Sequence, residues 1–455
     1  MENFWDFSVW GTLNTFAILF ASLLFGSVLK KSIPLLKNSL IPTSVIGGTL
    51  LIIIAAIYKG ITKDVMFDTA FFGGNGTAKL EIITYHTLAL GFIASTLKDT
   101  KSKMTKKRSE EIFNTGVTTV ATYLIQAIVG ISVTMITALF IKGFFKAAGA
   151  LLPFGYGQGT GQALNYGNIY ETEFGFNGGK SFGLTVAALG FLSASIGGVI
   201  HLNIMKKRGK FVKDKNSSAS QVVNAENEVP LSVSMDKMTV QIALIAVTYF
   251  ISYGMMLLFG ALIPSMKSVI YGFNFLLGVL AAILVKAIFN FLKSKSIIKK
   301  DYTNNFLLTR VSNLCFDVMI VSGIAAIRLD MLEKYWGVIL ILGVLGTVIT
   351  YAYNRYVAKK LFPDYTEEQF LVMYGMLTGT ASTGIILLRE IDSEFKSPAS
   401  DNMVYQNLPA IVFGFPLMLL ATLAPKKPFL SLIIFILFFI VMNIILFRKQ
   451  IFKKK

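Results

Sequence analysis

Leu152-Pro-Phe-Gly155-Tyr-Gly157-Gln158-Gly159-Thr160-Gly161-Gln162 and Tyr374-Gly-Met-Leu-Thr378-Gly379-Thr380-Ala-Ser382-Thr383-Gly384 are glycine-rich interruptions in an otherwise apolar chain. Neither reads as a continuous helix through a bilayer. Pro153 and a glycine cluster break the first, hydroxyls sit at the centre of the second, and the flanks are too short to cross alone. Non-helical backbone at membrane depth is tolerated only where it is buried in protein or lines a watery cavity. Glycine allows a sharp turn and close approach of a ligand to the backbone. Exposed N–H groups at a helix start attract a carboxylate, and free carbonyls can hold a sodium ion. The candidate substrate-binding residues are therefore Gly157, Gln158, Gly159, Thr160, Gly161, Gln162 and Asn165 in the first segment. In and after the second they are Thr378, Gly379, Thr380, Ser382, Thr383, Gly384 and Arg389. The competing reading is that small residues merely let membrane helices pack closely. Hydroxyls and amides clustered with the glycines in both halves favour a site.

Outward from these stretches, the chain has 455 residues, 54% hydrophobic and 15% charged, with a mean hydropathy of +0.63. Soluble domains carry about 25% charged residues, so the missing charge points to surface that faces lipid. The net charge of +18 can signal nucleic acid. Here Lys and Arg instead form short clusters between apolar runs, as membrane loops do, and no nucleic-acid partner is expected.

Apolar runs place spans near 9–29, 40–58, 81–97, 112–141, 182–205, 238–263, 268–292, 304–328, 335–355, 402–424 and 429–447. The N-terminus lacks a basic region and carries Glu2 and Asp6, so the first run is expected to remain as a span rather than a cleaved signal. Basic linkers hold Lys30, Lys31 and Lys37, then Lys98 to Arg108, Lys206 to Lys215, Lys293 to Lys300, and Arg355, Lys359 and Lys360. With the tail Arg448 to Lys455 they alternate with less basic linkers, which sets the N-terminus outside and the C-terminus in the cytoplasm. Trp5, Trp10 and Trp336 all fall at expected outer ends, where tryptophan prefers to sit. Cys315, alone in an apolar run, excludes an intrachain disulfide.

The expected fold is all-α and polytopic, with about 11 spans. Residues 1–205 and 238–424 form two inverted five-helix repeats, each with a re-entrant hairpin. The polar stretch 206–237 is a cytoplasmic linker, and 425–455 adds a C-terminal transmembrane helix and basic tail. Leu40-Ile41-Pro42 before Ser44-Val45-Ile46-Gly47, and Leu262-Ile263-Pro264 before Ser268-Val269-Ile270, are a trace of that repeat.

Ionisable residues at membrane depth are costly and are functional by default. Asp317, with Asn313 one turn before it, is the candidate sodium site; the competing role is a structural pair with Arg310. Thr84, His86 and Thr87 occupy the corresponding span of the first half, with His86 near its outer end. Arg389 suits a carboxylate by its forked geometry, although Arg389-Glu390-Ile-Asp392 also reads as a charged cytoplasmic mouth. Lys286, near an inner end, reads as snorkelling. Phe174 to Ser181 resembles a phosphate loop but has Phe174 where the first glycine belongs, so ATP-driven pumping is not expected. No HExxH or Cys/His cluster recommends an enzyme, and no cofactor other than a coupling ion is expected.

IPTSVIGG (41–48), GYGQGTGQALNYG (155–167) with FGF (174–176), and the pattern of spans resemble bacterial sodium/glutamate symporters over residues 10–424. The resemblance implies inverted repeats with re-entrant segments, sodium-driven glutamate uptake, and homodimers in the cytoplasmic membrane. In such a dimer each protomer would move a transport domain past a fixed scaffold. The chain departs from the family's GGHGTG-like first motif, having Gly155 to Gly161 there, and Gly379 to Gly384 differs from the usual second loop. The readings carried forward are a sodium-coupled glutamate carrier and a citrate or dicarboxylate carrier. Beside them stand an uncoupled channel or facilitator and a membrane enzyme or receptor-like protein.

Overall fold

The computed structural model describes residues 3–37, 41–98, 105–208, 235–272, 274–298, 300–333, 335–392 and 396–451; Ser265, Ser268, Val269, Ser382 and Leu408 are described by backbone alone. Most of the 206–237 linker, Leu40, Glu2 and the last residues of the basic tail lie outside that set. Long apolar runs become helices because a bilayer offers no partner for an unpaired backbone group, and no β-strand occurs among the described residues.

The principal helices are α1 (Phe7–Ser32), α2 (Thr43–Thr62), α3 (Gly76–Thr96), α4 (Lys106–Phe140), α5 (Leu152–Phe174), α6 (Gly179–Lys207), α7 (Lys237–Leu262) and α8 (Asn274–Ser294). They continue as α9 (Asn305–Ala325), α10 (Trp336–Leu361), α11 (Thr366–Thr378), α12 (Ala381–Arg389), α13 (Ala399–Tyr405), α14 (Asn407–Leu423) and α15 (Pro428–Leu446). Nine described helices are long and apolar enough to cross a membrane, or ten if the pair α13–α14, bent by 52°, counts as one span. The protein is a multi-pass membrane protein.

That total differs from the eleven runs in the sequence for identifiable reasons. The run at 81–97 becomes α3, whose Lys79, Glu81, Tyr85 and His86 leave it less apolar than the nine. The run at 402–424 is interrupted at Gln406. The run at 268–292 starts as a full helix only at Asn274, whose buried side chain donates to the Tyr85 carbonyl oxygen at 2.8 Å. Helix α10 outlasts its apolar run by more than a turn and carries Arg355 within it.

Two compact units result. Unit 2 comprises residues 81–103 and 218–320, and so holds most of α3 with α7, α8 and most of α9; everything else is unit 1. The core of unit 2 is Ile93, Ala94 and Leu97 packed with Ile245, Ala282, Val285, Leu308 and Val311. Within unit 1 the basic helix ends gather at one side. Lys107 pairs with Asp364 at 3.0 Å, Arg108 with Asp401 at 3.6 Å, and Arg448 donates to Asn114 at 3.0 Å. Lys59 and Asp330, from linkers expected on the opposite side, meet each other at 3.3 Å. The added helix α15 packs along α4 and hydrogen-bonds α10 through Tyr353 and Asn443 at 2.9 Å.

Candidate functional site

Both glycine-rich segments fold as helices that break and turn back, and both belong to unit 1. In α5 the break is Gly159, with φ 77° and ψ −171°, a conformation essentially confined to glycine. Phe154 and Tyr166, which a straight helix would hold ~18 Å apart, stack at 3.7 Å. In the second segment α11 ends at Thr378 and α12 begins at Ala381, with Gly379 and Thr380 between them at φ −139° and −140°. A Cβ at Gly375 would lie 2.8 Å from the Cα of Gly384, so α12 folds back on α11.

The two breaks share a pattern absent from the sequence reading. Phe154-Gly155-x-x-x-Gly159-Thr160 recurs as Tyr374-Gly375-x-x-x-Gly379-Thr380. In both, an aromatic–glycine pair sits one helical turn before a Gly–Thr break.

Helix α4 holds both breaks from adjacent turns. The Tyr123 hydroxyl donates to the Gly157 carbonyl oxygen at 3.1 Å, and Gln126 Nε2 donates to the Leu377 carbonyl oxygen at 2.9 Å. A helix end leaves carbonyls without intrahelical partners, and these two side chains satisfy one at each break. Helix α6 supports the opposite side. Gly190 lets α6 approach the Thr378 carbonyl closely, because a Cβ there would overlap it. Ser193 receives both tyrosines: Tyr156 meets its hydroxyl at 2.9 Å and Tyr374 donates to its carbonyl at 2.8 Å.

The expected site residues fall into three groups. Thr160, Gln162, Asn165, Thr378 and Thr383 are at most 5% exposed, and Gly157, Gly159, Gly161, Gly379 and Gly384 are buried with them. Gln158 and Thr380 are partly exposed, and Arg389 is exposed at the end of α12. Thr378 donates to the Tyr374 carbonyl at 2.6 Å, and the Thr380 and Thr383 hydroxyls are 3.4 Å apart. Asn313 and Asp317 lie on an exposed face of α9 and belong to unit 2. Of all these, Gln162 stands out. It is 1% exposed, and neither its amide oxygen nor its amide nitrogen has a hydrogen-bond partner among the described residues.

Two other ionisable groups are tied into unit 2 by hydrogen bonds. Lys286 donates to the Thr96 and Lys98 carbonyl oxygens at 3.2 and 2.6 Å, so it ties the end of α3 to α8. His86 is exposed and meets the Tyr249 hydroxyl at 2.7 Å, as an interfacial residue would.

A charged cluster at the base of α11 was hidden from the sequence because its members are far apart in the chain. Glu367 forks onto Arg355 with two contacts of 2.7 Å and meets His201 Nε2 at 2.8 Å. His201 Nδ1 in turn faces the Tyr351 hydroxyl at 2.8 Å. Burial pushes the Glu367 carboxyl up, but hydrogen bonds from His201 and Arg355 more than reverse it and hold it at about 2. Glu367 lies in the first turn of α11, beyond the end of α10 at Leu361. The charge therefore anchors the base of the second broken helix to α6 and α10.

No curated protein matches the chain at a significant level. Residues 9–385 match the family model described as the sodium/glutamate symporter, and with that span covering both helix breaks the chain belongs to the sodium/glutamate symporter family.

Proposed function

We propose that the protein imports glutamate together with sodium, with the substrate held between the two breaks and exposed to each side of the membrane in turn. The observation that carries this reading is Gln162. A fully buried amide with neither atom satisfied is costly, about 1–3 kcal/mol for each orphaned group, and it lies one turn past the Gly159 break. Its Nε2 can donate to a carboxylate and its Oε1 can accept from an ammonium. An α-amino acid presents both a carboxylate and an ammonium, whereas citrate or another dicarboxylate presents carboxylates without an ammonium. The membership in a sodium/glutamate symporter family agrees with that choice.

In this reading the segments are re-entrant hairpins of two inverted repeats, and the Gly–Thr tips, Asn165 and Arg389 contribute substrate contacts. Asn313 and Asp317 serve as cation ligands in unit 2. The chain works as a homodimer in a bacterial inner membrane, with the N-terminus outside and the C-terminus in the cytoplasm.

The test is uptake of labelled L-glutamate, aspartate, citrate and malate into proteoliposomes, with and without an inward sodium gradient. Glutamate should accumulate only with the gradient, and Gln162→Leu should reduce uptake at least tenfold. Accumulation indifferent to sodium, or uptake of citrate in preference to glutamate, would overturn the reading. Asp317→Asn should raise the sodium requirement; unchanged sodium dependence would remove Asp317 from the ion path.

A further inference from the structure

Four polar residues close a knot between α4 and α10, directly under the second break. Thr122 and Gln126 stand four residues apart on α4, and Thr350 and Asn354 stand four apart on α10, so each pair shares one helix face. All four are at most 2% exposed. Gln126 Nε2 donates to Thr350 Oγ1 at 2.8 Å as well as to the Leu377 carbonyl oxygen. Asn354 Nδ2 donates to the Thr350 carbonyl oxygen at 2.9 Å and to Thr122 Oγ1 at 3.3 Å. Both amide nitrogens are thus fully spent. Both amide oxygens, Gln126 Oε1 and Asn354 Oδ1, are buried with no donor among the described residues.

Two orphaned acceptors in one knot, each facing away from the bonds its own nitrogen makes, call for an electropositive guest. The surrounding atoms decide its class. The Thr122 and Thr350 hydroxyls and the Leu377 carbonyl already accept from the two amide nitrogens, so the two amide oxygens supply the open lone pairs, and none of the four side chains is a carboxylate. Oxygen-only sets suit hard cations, and divalent ions such as calcium typically recruit Asp or Glu as well. A neutral cage therefore selects a monovalent ion. Leu377 also belongs to the last turn of α11, where unpaired carbonyls and the helix dipole present negative charge. Half-helix C-terminal ends coordinate sodium in carriers built this way.

We propose that sodium binds at Gln126 Oε1 and Asn354 Oδ1, a site in unit 1 additional to Asn313 and Asp317. This rests on the sodium-coupled reading above and deepens it. The ion would bridge α4 and α10 and draw the Leu377 end of the broken helix towards them, so occupancy sets the position of the Gly379–Thr380 tip. No titratable group takes part, so this site does not substitute a proton for sodium.

The experiment measures the half-saturating sodium concentration for glutamate uptake in proteoliposomes. Thermal unfolding of the purified protein in NaCl against choline chloride is the second readout. Gln126→Met and Asn354→Leu should each raise half-saturation at least tenfold and remove most of the sodium-dependent thermal shift. Gln126→Glu, which keeps the size and adds a charge, should instead change the preference among sodium, lithium and calcium, and it serves if the apolar variants do not fold. Sodium-dependent uptake in the parent protein with half-saturation and ion preference unchanged in the variants would overturn the site while leaving the carrier intact. Loss of sodium dependence in the parent itself would overturn the carrier reading instead.

Discussion

The two broken helices reach a similar shape by different chemistry. The first depends on one residue: Gly159 turns the chain through a conformation that side chains do not adopt, and the limbs meet through the stacked rings of Phe154 and Tyr166. The second spreads its turn over Gly379 and Thr380, both at negative φ, and secures its base with the Glu367–Arg355–His201 charges. One segment is fixed at its turn by backbone geometry, the other at its base by electrostatics. The first should tolerate pH and fail on substitution of its glycine; the second should be less sensitive at its turn and respond to charge at its base.

That contrast breaks most sharply at Gly159. Gly159→Ala forces a side chain into the positive-φ region at a cost of about 1–3 kcal/mol, and uptake should fall more than tenfold. Gly379→Ala should cost less, because its φ of −139° lies outside the left-handed region, and the loss there comes from crowding: a Cβ would sit 2.9 Å from the Thr383 hydroxyl, 3.1 Å from the Gly375 carbonyl oxygen and 3.2 Å from the Phe191 ring. Equal losses in the two uptake assays would remove the distinction.

A smaller effect is expected at the charged base. Glu367→Gln leaves Arg355 and His201 facing a neutral amide, and thermal unfolding in detergent should show a loss of about 1–3 kcal/mol. The pH dependence follows from the lowered carboxyl. Because the folded value lies below the ordinary 4.5, the stabilisation is full above about 4.5 and is lost as pH falls towards about 2. Parent protein should lose stability across that window more steeply than Glu367→Gln; parallel profiles would contradict the anchor. Smallest of all, Tyr123→Phe removes one interhelical hydrogen bond to Gly157, typically about 0.6 kcal/mol in a membrane, and uptake should fall about threefold or less.

Much of the fold was legible in the residues because membrane helices are marked by composition. Runs such as 9–29 and 429–447 must satisfy every backbone group internally, and their apolar length announces the helices found at Phe7–Ser32 and Pro428–Leu446. The interruptions at Gly159 and Gly379 were legible for the complementary reason: glycine and hydroxyls in such a run need an explanation. Asp317 is legible only in part: a charge in an apolar run is visible, whereas the face it occupies is decided by helix rotation, and that face is exposed in unit 2. Tyr123, Gln126, Thr350 and Asn354 escaped because ordinary polar residues are unremarkable in long helices. Their one signal was the stripe Thr115, Thr118, Thr122 and Gln126 at helical spacing on α4.

By itself, then, the sequence determined that the chain lives in the membrane, where its helices run and which two segments cannot be plain helices. Those properties follow from local length, apolarity and glycine. Only the tertiary structure decided that α4 serves both breaks, that Glu367 meets Arg355 and His201, and that Gln126, Asn354 and Gln162 keep amide atoms unsatisfied. Such facts depend on which atoms of distant residues come within about 3 Å, a distance that no spacing along the chain encodes.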